Sequence, residues 1–401
     1  MKRFRADWLL PIADDPIRDG WVSIDQGRIV DVGNGPAAEA VDLGRSVILP
    51  GLVNAHTHLE LAYLHGRVPS GKRFDEWIRT LMAFRRRYPD PADPEIVSAA
   101  RTAIEAARAA GTALVGDISN TLVTVRLLRE AGVAARVFYE LLGFNAADPA
   151  GRVAAAREAM EAAGVDAAQV RITLAPHAPY SVSPALFKAI RLSLDGEAAP
   201  VSTVHLGESS DELQFLRQGK GAFRQLLEEL GVWNPEWKPP GTSPVVYLSD
   251  LEFLDRSVIV VHGVQFDGDD LSRLAALGST VVSCPRSNRH VGVGDPPLEA
   301  FYAMDVDVAF GTDSLASVAD LNLFTELKEA RRLAPRVSAR RLLESATLTG
   351  ARALGFDRDF GSVEPGKCAG LLAIEVPAGV TDVEEYLLTG IEPGQVRWLD
   401  T

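Results

Sequence analysis

Eight short apolar runs recur along the chain with helix-patterned stretches between them, and this alternation limits the fold more than any other feature. The runs are Val47–Val53, Thr112–Val115, Ala135–Leu142, Val170–Ala175, Val201–His205, Val258–Val261, Thr280–Cys284 and Val306–Phe310. Helical spacing marks Glu95–Ala110, Val153–Ala163, Glu212–Leu230 and, after the last run, Ser338–Leu354. Buried strands that alternate with helices pair in parallel, so the pattern predicts an α/β fold, a closed (β/α)8 TIM barrel. A doubly wound open sheet is the competing arrangement.

The two ends of the chain read differently. Trp8–Ile12, Gly20–Ile24 and Arg28–Val32 are short strand patterns separated by turns such as Asp25-Gln26-Gly27, and the tail repeats the style in Leu371–Glu375 after Pro365-Gly366. Head and tail are predicted to form one small β-sandwich-like domain. That assigns residues 1–50 and 356–401 to the small domain and 51–355 to the barrel. Gly231–Tyr247, with Trp233 and Trp237, reads as an ordered lid or interface loop.

Charge narrows the partners. Forty-one basic against 54 acidic residues leave a formal charge of −13, which repels phosphate backbones and anionic membranes. The basic run Arg85-Arg86-Arg87 reads as a solvated helix face. Two cysteines, Cys284 and Cys368, form no disulfide framework, and no secretory or membrane-length apolar segment occurs, so a cytoplasmic protein is expected. The expected partner is a small-molecule substrate, with no nucleic acid and no membrane, on a homo-oligomer.

Five of the seven histidines fall at the C-terminal ends of predicted strands, where a barrel carries its chemistry. His56 and His58, one residue apart on an extended segment, leave the same face roughly 6.5 Å apart and can grip one ion. His205 ends its run, and Glu208 follows past Gly207, where the chain can lift a carboxyl over the barrel mouth for acid/base work. Asp313, in Gly311-Thr312-Asp313-Ser314, is either a helix cap or the carboxylate that completes a His3Asp set suited to Zn2+ or Fe2+. His262 suits a fourth nitrogen ligand or a water-orienting base. His177, set between prolines, suits a rigid substrate contact. The plainer alternatives are half-buried polar residues at a strand end for His56 and His58, hydrogen-bonded core histidines for His205 and His262, and a structural turn for His177.

Taken together, Pro50-Gly51-Leu52-Val53-Asn54-Ala55-His56-Thr57-His58, the His205/Glu208 pair, His262 and Gly311-Thr312-Asp313-Ser314 resemble the amidohydrolase superfamily. The likeness runs from Arg28-Ile29-Val30-Asp31-Val32-Gly33 to Gly361-Ser362-Val363-Glu364-Pro365-Gly366-Lys367 and is nearest the mononuclear aminohydrolase branch, which includes adenosine, guanine and cytosine deaminases and triazine hydrolases. It implies metal ligands at His56, His58, His205 and Asp313, catalytic roles for Glu208, His262 and Asp313, and substrate contact at His177. Binuclear members carry a lysine at the end of strand four; Thr173-Leu174-Ala175-Pro176-His177 has none, which favours one divalent ion, zinc or iron.

The phrases His58-Leu59-Glu60-Leu61, Phe74-Asp75-Glu76-Trp77-Ile78, Ala175-Pro176-His177-Ala178-Pro179-Tyr180-Ser181 and Ser283-Cys284-Pro285-Arg286-Ser287-Asn288 are most similar to aminodeoxyfutalosine deaminases. By that likeness Trp77, Arg86, Arg286 and Asn288 join His177 as substrate contacts. Arg73, Arg86 and Arg286 are expected at the functional face, able to meet a substrate carboxylate. Two departures stand out. Nine residues past Trp77, where S-adenosylhomocysteine-type deaminases hold the ribose with a glutamate, this chain has Arg86. The usual Ala-Asp-Leu near the end reads Ala369-Gly370-Leu371.

The implied chemistry is hydrolytic deamination of an aminated heteroaromatic ring, best a 6-aminopurine nucleoside. Asp313 and His262 would orient a metal-activated water while Glu208 protonates the ring nitrogen. Competing readings keep the metal and change the bond, as in amide hydrolysis, chloride displacement from a triazine, or guanine or cytosine deamination. A non-catalytic barrel is a third class.

Overall fold

At Gly51 the chain passes from one sheet into another, and no larger residue fits there. A Cβ at Gly51 would stand 2.5 Å from the Ala113 Cβ and 3.1 Å from the Gly370 carbonyl. The apolar run expected as the first barrel strand is therefore two strands, split where the backbone must come close to its neighbours. The computed structural model describes residues 1–71, 73–164 and 169–399.

One seven-stranded sheet is built from both chain ends. From the head come β1 (Lys2–Leu9), β2 (Ile17–Asp25), β3 (Arg28–Asn34), β4 (Val41–Asp42) and β5 (Ser46–Pro50). Across the gap of the barrel, β14 (Leu371–Glu375) pairs antiparallel with β5, and β15 (Val396–Trp398) pairs with β14. This sheet has its own apolar core, with Phe4, Leu9, Val22, Ile48 and Leu371 buried together.

Between them lie β6 (Leu52–Thr57), β7 (Thr112–Ser119), β8 (Ala134–Leu141), β9 (Val170–Pro176), β10 (Ser202–Leu206), β11 (Val258–His262), β12 (Val281–Ser283) and β13 (Val308–Phe310). They form two four-stranded parallel sheets, β6 to β9 and β10 to β13 in sequence order. Two seams join the sheets into the expected barrel. At one, the His205 N–H donates to the His177 carbonyl at 2.9 Å; at the other, the Asp313 N–H donates to the His56 carbonyl at 3.0 Å. Both seams are made by candidate site residues, so closing the barrel also gathers the site.

Helices cover the barrel with ordinary capping chemistry. Pro94–Ala109 starts on the Asp93 carboxylate, and Pro184–Asp195 starts on the Ser183 hydroxyl. Two long helical stretches are broken. Glu212–Leu230 is two helices, Ser210–Gln218 and Ala222–Glu229, because Gly219 and Gly221 take left-handed backbone at φ 65° and 95°. Ser338–Leu354 is Ala339–Ser345 and Leu348–Ala353. In the segment after Leu230, Trp237 stacks on Phe215 at 4.7 Å and Trp233 on Phe144 at 5.6 Å, and its end forms the helix Pro244–Asp250. Among the described residues no helix is long and apolar enough to cross a membrane.

Candidate active site

Four imidazoles crowd one end of the barrel. Ring centroids of His56 lie 5.0 Å from both His58 and His205 and 5.7 Å from His262. Donor atoms of His56, His58 and His205 all lie within 4.8 Å of one another, as do those of His56, His262 and Asp313. Asp313 Oδ1 stands 3.4 Å from His58 Nε2 and 3.9 Å from His56 Nε2. Donors bound at ~2.1 Å to a single ion stand at most ~4.2 Å apart, so a slight closure of these side chains forms a coordination shell.

His56 tests the fit. It is fully buried, and among the described residues neither ring nitrogen has a hydrogen-bond partner. A buried imidazole with nothing to bond costs free energy unless another group meets it, and a divalent ion fits that need. Burial, and then the neighbouring imidazoles, hold its pKa well below the usual histidine value. Burial likewise lowers His58 and His262 to about 4. Neutral imidazole is the form that binds metal. Burial alone would raise Asp313, but the His58 and His262 rings and the Ser287 hydroxyl outweigh it and leave its carboxyl below the ordinary range.

The surroundings aim these groups. Asp313 accepts from Ser287 Oγ at 2.6 Å and from the Ser314 N–H at 2.7 Å. His262 Nδ1 donates to Asn288 Oδ1 at 2.8 Å, which leaves Nε2 bare and turned to Glu208 Oε1 at 3.6 Å. His205 Nδ1 lies 3.1 Å from the His177 carbonyl and 3.4 Å from Glu140 Oε1, so its Nε2 faces the cluster. His262 and Asp313 both have positive φ, 79° and 62°, a conformation side-chain-bearing residues seldom take. Gly207, at φ 63°, turns the chain from His205 to Glu208, and a Cβ there would meet Phe266 at 2.3 Å.

Glu208 is buried, and burial followed by the charges of Asp313 and Glu212 raises its pKa well above the carboxylate range. Its loop is held by Glu212, whose carboxyl accepts the N–H groups of Gly207 and Glu208 at 3.1 Å each. A cavity of about 240 Å³ opens over this group, with His58, His177, His205, Glu208, His262 and Asp313 on its floor. Its walls are apolar and aromatic: Phe74, Trp77, Tyr180 and Phe223 among them, the last two stacked at 3.7 Å and 4°.

The structure thus brings together His56, His58, His177, His205, Glu208, His262, Asp313 and Trp77. It places the other expected contacts elsewhere. Arg286 is committed to Glu326, at 2.6 Å, and to Asp320, at 2.9 Å, and does not line the cavity. Asn288 sits behind His262. Arg73 pairs with Asp75 and Glu76. Arg86 lies just past the helix Phe74–Arg85 and is turned from this cavity, whereas Trp77, Leu81 and Arg85, four residues apart on one face, line it. Sequence reasoning missed Arg85, though that spacing was present in the chain. It also missed Glu140, which stands behind His205, and the hydrogen bond from Ser287 to Asp313.

Residues 47–391 match the amidohydrolase family, and the chain belongs to it. It is similar to the 5-methylthioadenosine/S-adenosylhomocysteine deaminase of Halobacterium salinarum, 32 % identical over 393 residues, 93 % of this chain and 84 % of the relative. It is also similar to the aminodeoxyfutalosine deaminase of Deinococcus radiodurans, 33 % identical over 325 residues, 77 % of this chain and 74 % of the relative. A zinc-bound adenosine deaminase from Xanthomonas campestris superposes with a TM-score of 0.83 at 27 % identity, covering 98 % of this chain and 90 % of that one. Helicobacter pylori aminofutalosine deaminase, bound to methylthio-coformycin, shares the fold with a TM-score of 0.85 at 24 % identity, covering 99 % and 97 %. The family and the barrel expected from the sequence are both found.

Proposed function

We propose that the chain is a metal-dependent hydrolytic deaminase of a 6-aminopurine nucleoside, with His56, His58, His205 and Asp313 holding one divalent ion, zinc or iron. The observation that carries this reading is the pairing of a buried Glu208, its pKa raised, with the bare Nε2 of His262 on the floor of an aromatic-walled cavity. When bound, the ion supplies Lewis acidity, drawing the pKa of a water toward 7.

The protein's own residues supply the rest. Glu208 donates its proton to the ring nitrogen beside the amino-bearing carbon, so negative charge does not build up on the purine as water adds. His262, neutral and pinned by Asn288, takes a proton from the attacking water at Nε2. The carboxylate left on Glu208 takes that proton from His262 Nε2, 3.6 Å away, and passes it to the amine. Ammonia departs as the new hydroxyl becomes the carbonyl and returns its proton to Glu208. His177 is held by Ser181, whose hydroxyl lies 2.6 Å from Nδ1 and donates to the Ala178 carbonyl. Nδ1 therefore carries the proton, and Nε2 is an acceptor for a substrate N–H or O–H. Trp77, Phe74 and the Tyr180–Phe223 pair give flat apolar surface to a purine.

Relatives named for methylthioadenosine/S-adenosylhomocysteine and for aminodeoxyfutalosine support an adenine nucleoside with an altered 5′ end. Aminodeoxyfutalosine is the preferred substrate in this reading. The test incubates metal-replete protein with adenosine, methylthioadenosine, aminodeoxyfutalosine, guanine, cytosine and a chlorotriazine, following ultraviolet change and ammonia together. Ammonia matching the spectral change for adenine nucleosides is the expected result. Turnover of only guanine, cytosine or the triazine overturns it.

A further inference from the structure

Behind His205 stands a carboxylate that the proposed chemistry does not use. Glu140 Oε1 lies 3.4 Å from His205 Nδ1. That nitrogen is also 3.1 Å from the His177 carbonyl oxygen, which can only accept, so Nδ1 carries the proton and Nε2 keeps the lone pair. Glu140, His177 and His205 also offer donor atoms within 4.8 Å of one another, a spacing that would suit a second ion. The proton on Nδ1 argues against one, because His205 has a single lone pair to give and the histidine cluster claims it.

Glu140 is buried, and it is held from the side away from His205. Asn120 Nδ2 donates to Glu140 Oε2 at 2.9 Å and to the Glu140 backbone carbonyl at 3.1 Å. Arg85 settles which way that amide faces, since its Nη2 donates to Asn120 Oδ1 at 3.1 Å and leaves the NH2 for the carboxylate. The Asn120 N–H donates to Glu60 Oε1 at 3.0 Å, and the same oxygen stands 3.5 Å from Arg85 Nη2. Glu60 is buried too, its Oε2 accepting from Ser119 Oγ and Thr121 Oγ1 at 2.7 Å each. Two buried carboxylates thus flank one amide, and among the described residues Arg85 is the only lysine or arginine within ion-pair reach of either. The result is one continuous chain of contacts, Arg85 to Asn120 to Glu140 to His205, that runs from the cavity wall to the histidine cluster.

We propose that Glu140 is a positioning residue of the metal centre, clamped by Asn120 and Arg85, and that its negative charge strengthens His205 as a ligand through Nε2. This rests on His205 being a ligand, as in the reading above. A carboxylate beside the N–H of a ligating imidazole fixes the ring and makes the other nitrogen a better donor, and losing such a partner costs about 10–100-fold in metal affinity. The His177 carbonyl already fixes the tautomer, so the part left to Glu140 is charge. Arg85 thereby helps to hold an ion that it does not touch.

Zinc affinity of the metal-free protein, measured by competition with a chelator, tests this without turnover. Glu140→Gln keeps the shape of the side chain and an oxygen for Asn120 but carries no charge. It is expected to weaken zinc binding by about 10–100-fold, with the urea midpoint of the metal-free protein little changed. Glu140→Asp, which restores the charge at a longer distance, should recover part of the loss. Asn120→Ala and Arg85→Met should weaken zinc in the same direction by less. Arg87→Gln, whose exposed side chain stacks on Phe84, should leave zinc affinity as it is. With cobalt in place of zinc, the visible spectrum should shift in Glu140→Gln and not in Arg87→Gln. If Arg85→Met does not fold because Glu60 is left unpaired, Glu140→Gln and Asn120→Ala decide. Unchanged zinc affinity in Glu140→Gln, or losses that merely follow folding stability across the whole set, overturns the proposal. Failure of the unaltered protein to bind zinc or cobalt at all would instead overturn the ligand set of the functional reading.

Discussion

The N–H of Asp313 donates to the carbonyl oxygen of His56 at 3.0 Å, so the bond that closes the barrel also joins the two candidate ligands farthest apart in sequence. Two residues earlier, Gly311 lies against His56 with no room to spare. A Cβ there would stand 2.7 Å from both the Cβ and the carbonyl oxygen of His56. Gly311→Ala is therefore expected to push β6 and β13 apart, costing about 1–3 kcal/mol as overpacking of a filled core does. Metal affinity should fall with it. Denaturant midpoints and metal titration check both, and an unchanged pair of values would show that the seam is slack.

His56→Ala removes a fully buried imidazole whose two nitrogens have no hydrogen-bond partner among the described residues. Elemental analysis of the purified protein is expected to return one divalent ion per chain before the change and almost none after, with activity lost in parallel. Two ions per active chain, or none in an active one, would overturn the ligand set.

Glu208→Gln keeps the shape of the side chain and removes its proton traffic. Metal content and folding should stay as they are, while kcat falls by at least about 10²-fold, the usual scale of general acid/base work. A rate near that of the unaltered enzyme would take Glu208 out of the mechanism.

Asn288 does not line the cavity above the histidines, yet its Oδ1 fixes the proton of His262 on Nδ1. Asn288→Ala is expected to lower kcat by about 10–100-fold, as loss of such orienting partners does, with KM changed far less. A rise in KM with kcat intact would restore the substrate contact expected from the sequence.

How far the chain could be read follows from where each residue gets its position. His56, His58, His205 and Asp313 stand at the ends of apolar runs, and a run marks its own end, so the barrel and the candidate ligands were visible together. Arg85 against Arg86 turned on helix phase, which shifts by 100° per residue and is settled by what the helix packs on. Asn288, Glu140 and Ser287 act on partners 26 or more residues away, and no spacing rule reaches that far. The split at Gly51 was hidden because Val47–Val53 is apolar throughout, buried in one sheet before the glycine and in the barrel after it.

Arg286 makes the contrast between a structural and a substrate-reading arginine measurable. Its Nε donates to Glu326 Oε1 at 2.6 Å, and the Glu326 side chain is wholly buried. Burial raises Glu326 to about 7, with Arg286 pulling it down from a still higher value. A carboxyl whose folded pKa lies above its unfolded one contributes stability that is complete below about 4.5 and is lost as pH rises through the folded value. Arg286→Met removes the downward pull, so the folded pKa climbs further and the loss extends to higher pH. The variant is therefore expected to lie closest to the unaltered protein in stability near pH 5. The deficit should widen toward pH 8, by about 1.4 kcal/mol for each pH unit above the unaltered folded value of about 7 until the variant's own carboxyl ionises. At pH 6, KM for a carboxylated nucleoside should be unchanged. Chemical denaturation across that pH range, with KM measured alongside, separates the outcomes: a pH-independent deficit would mean the pair is not coupled as described, and a raised KM would return Arg286 to the substrate site.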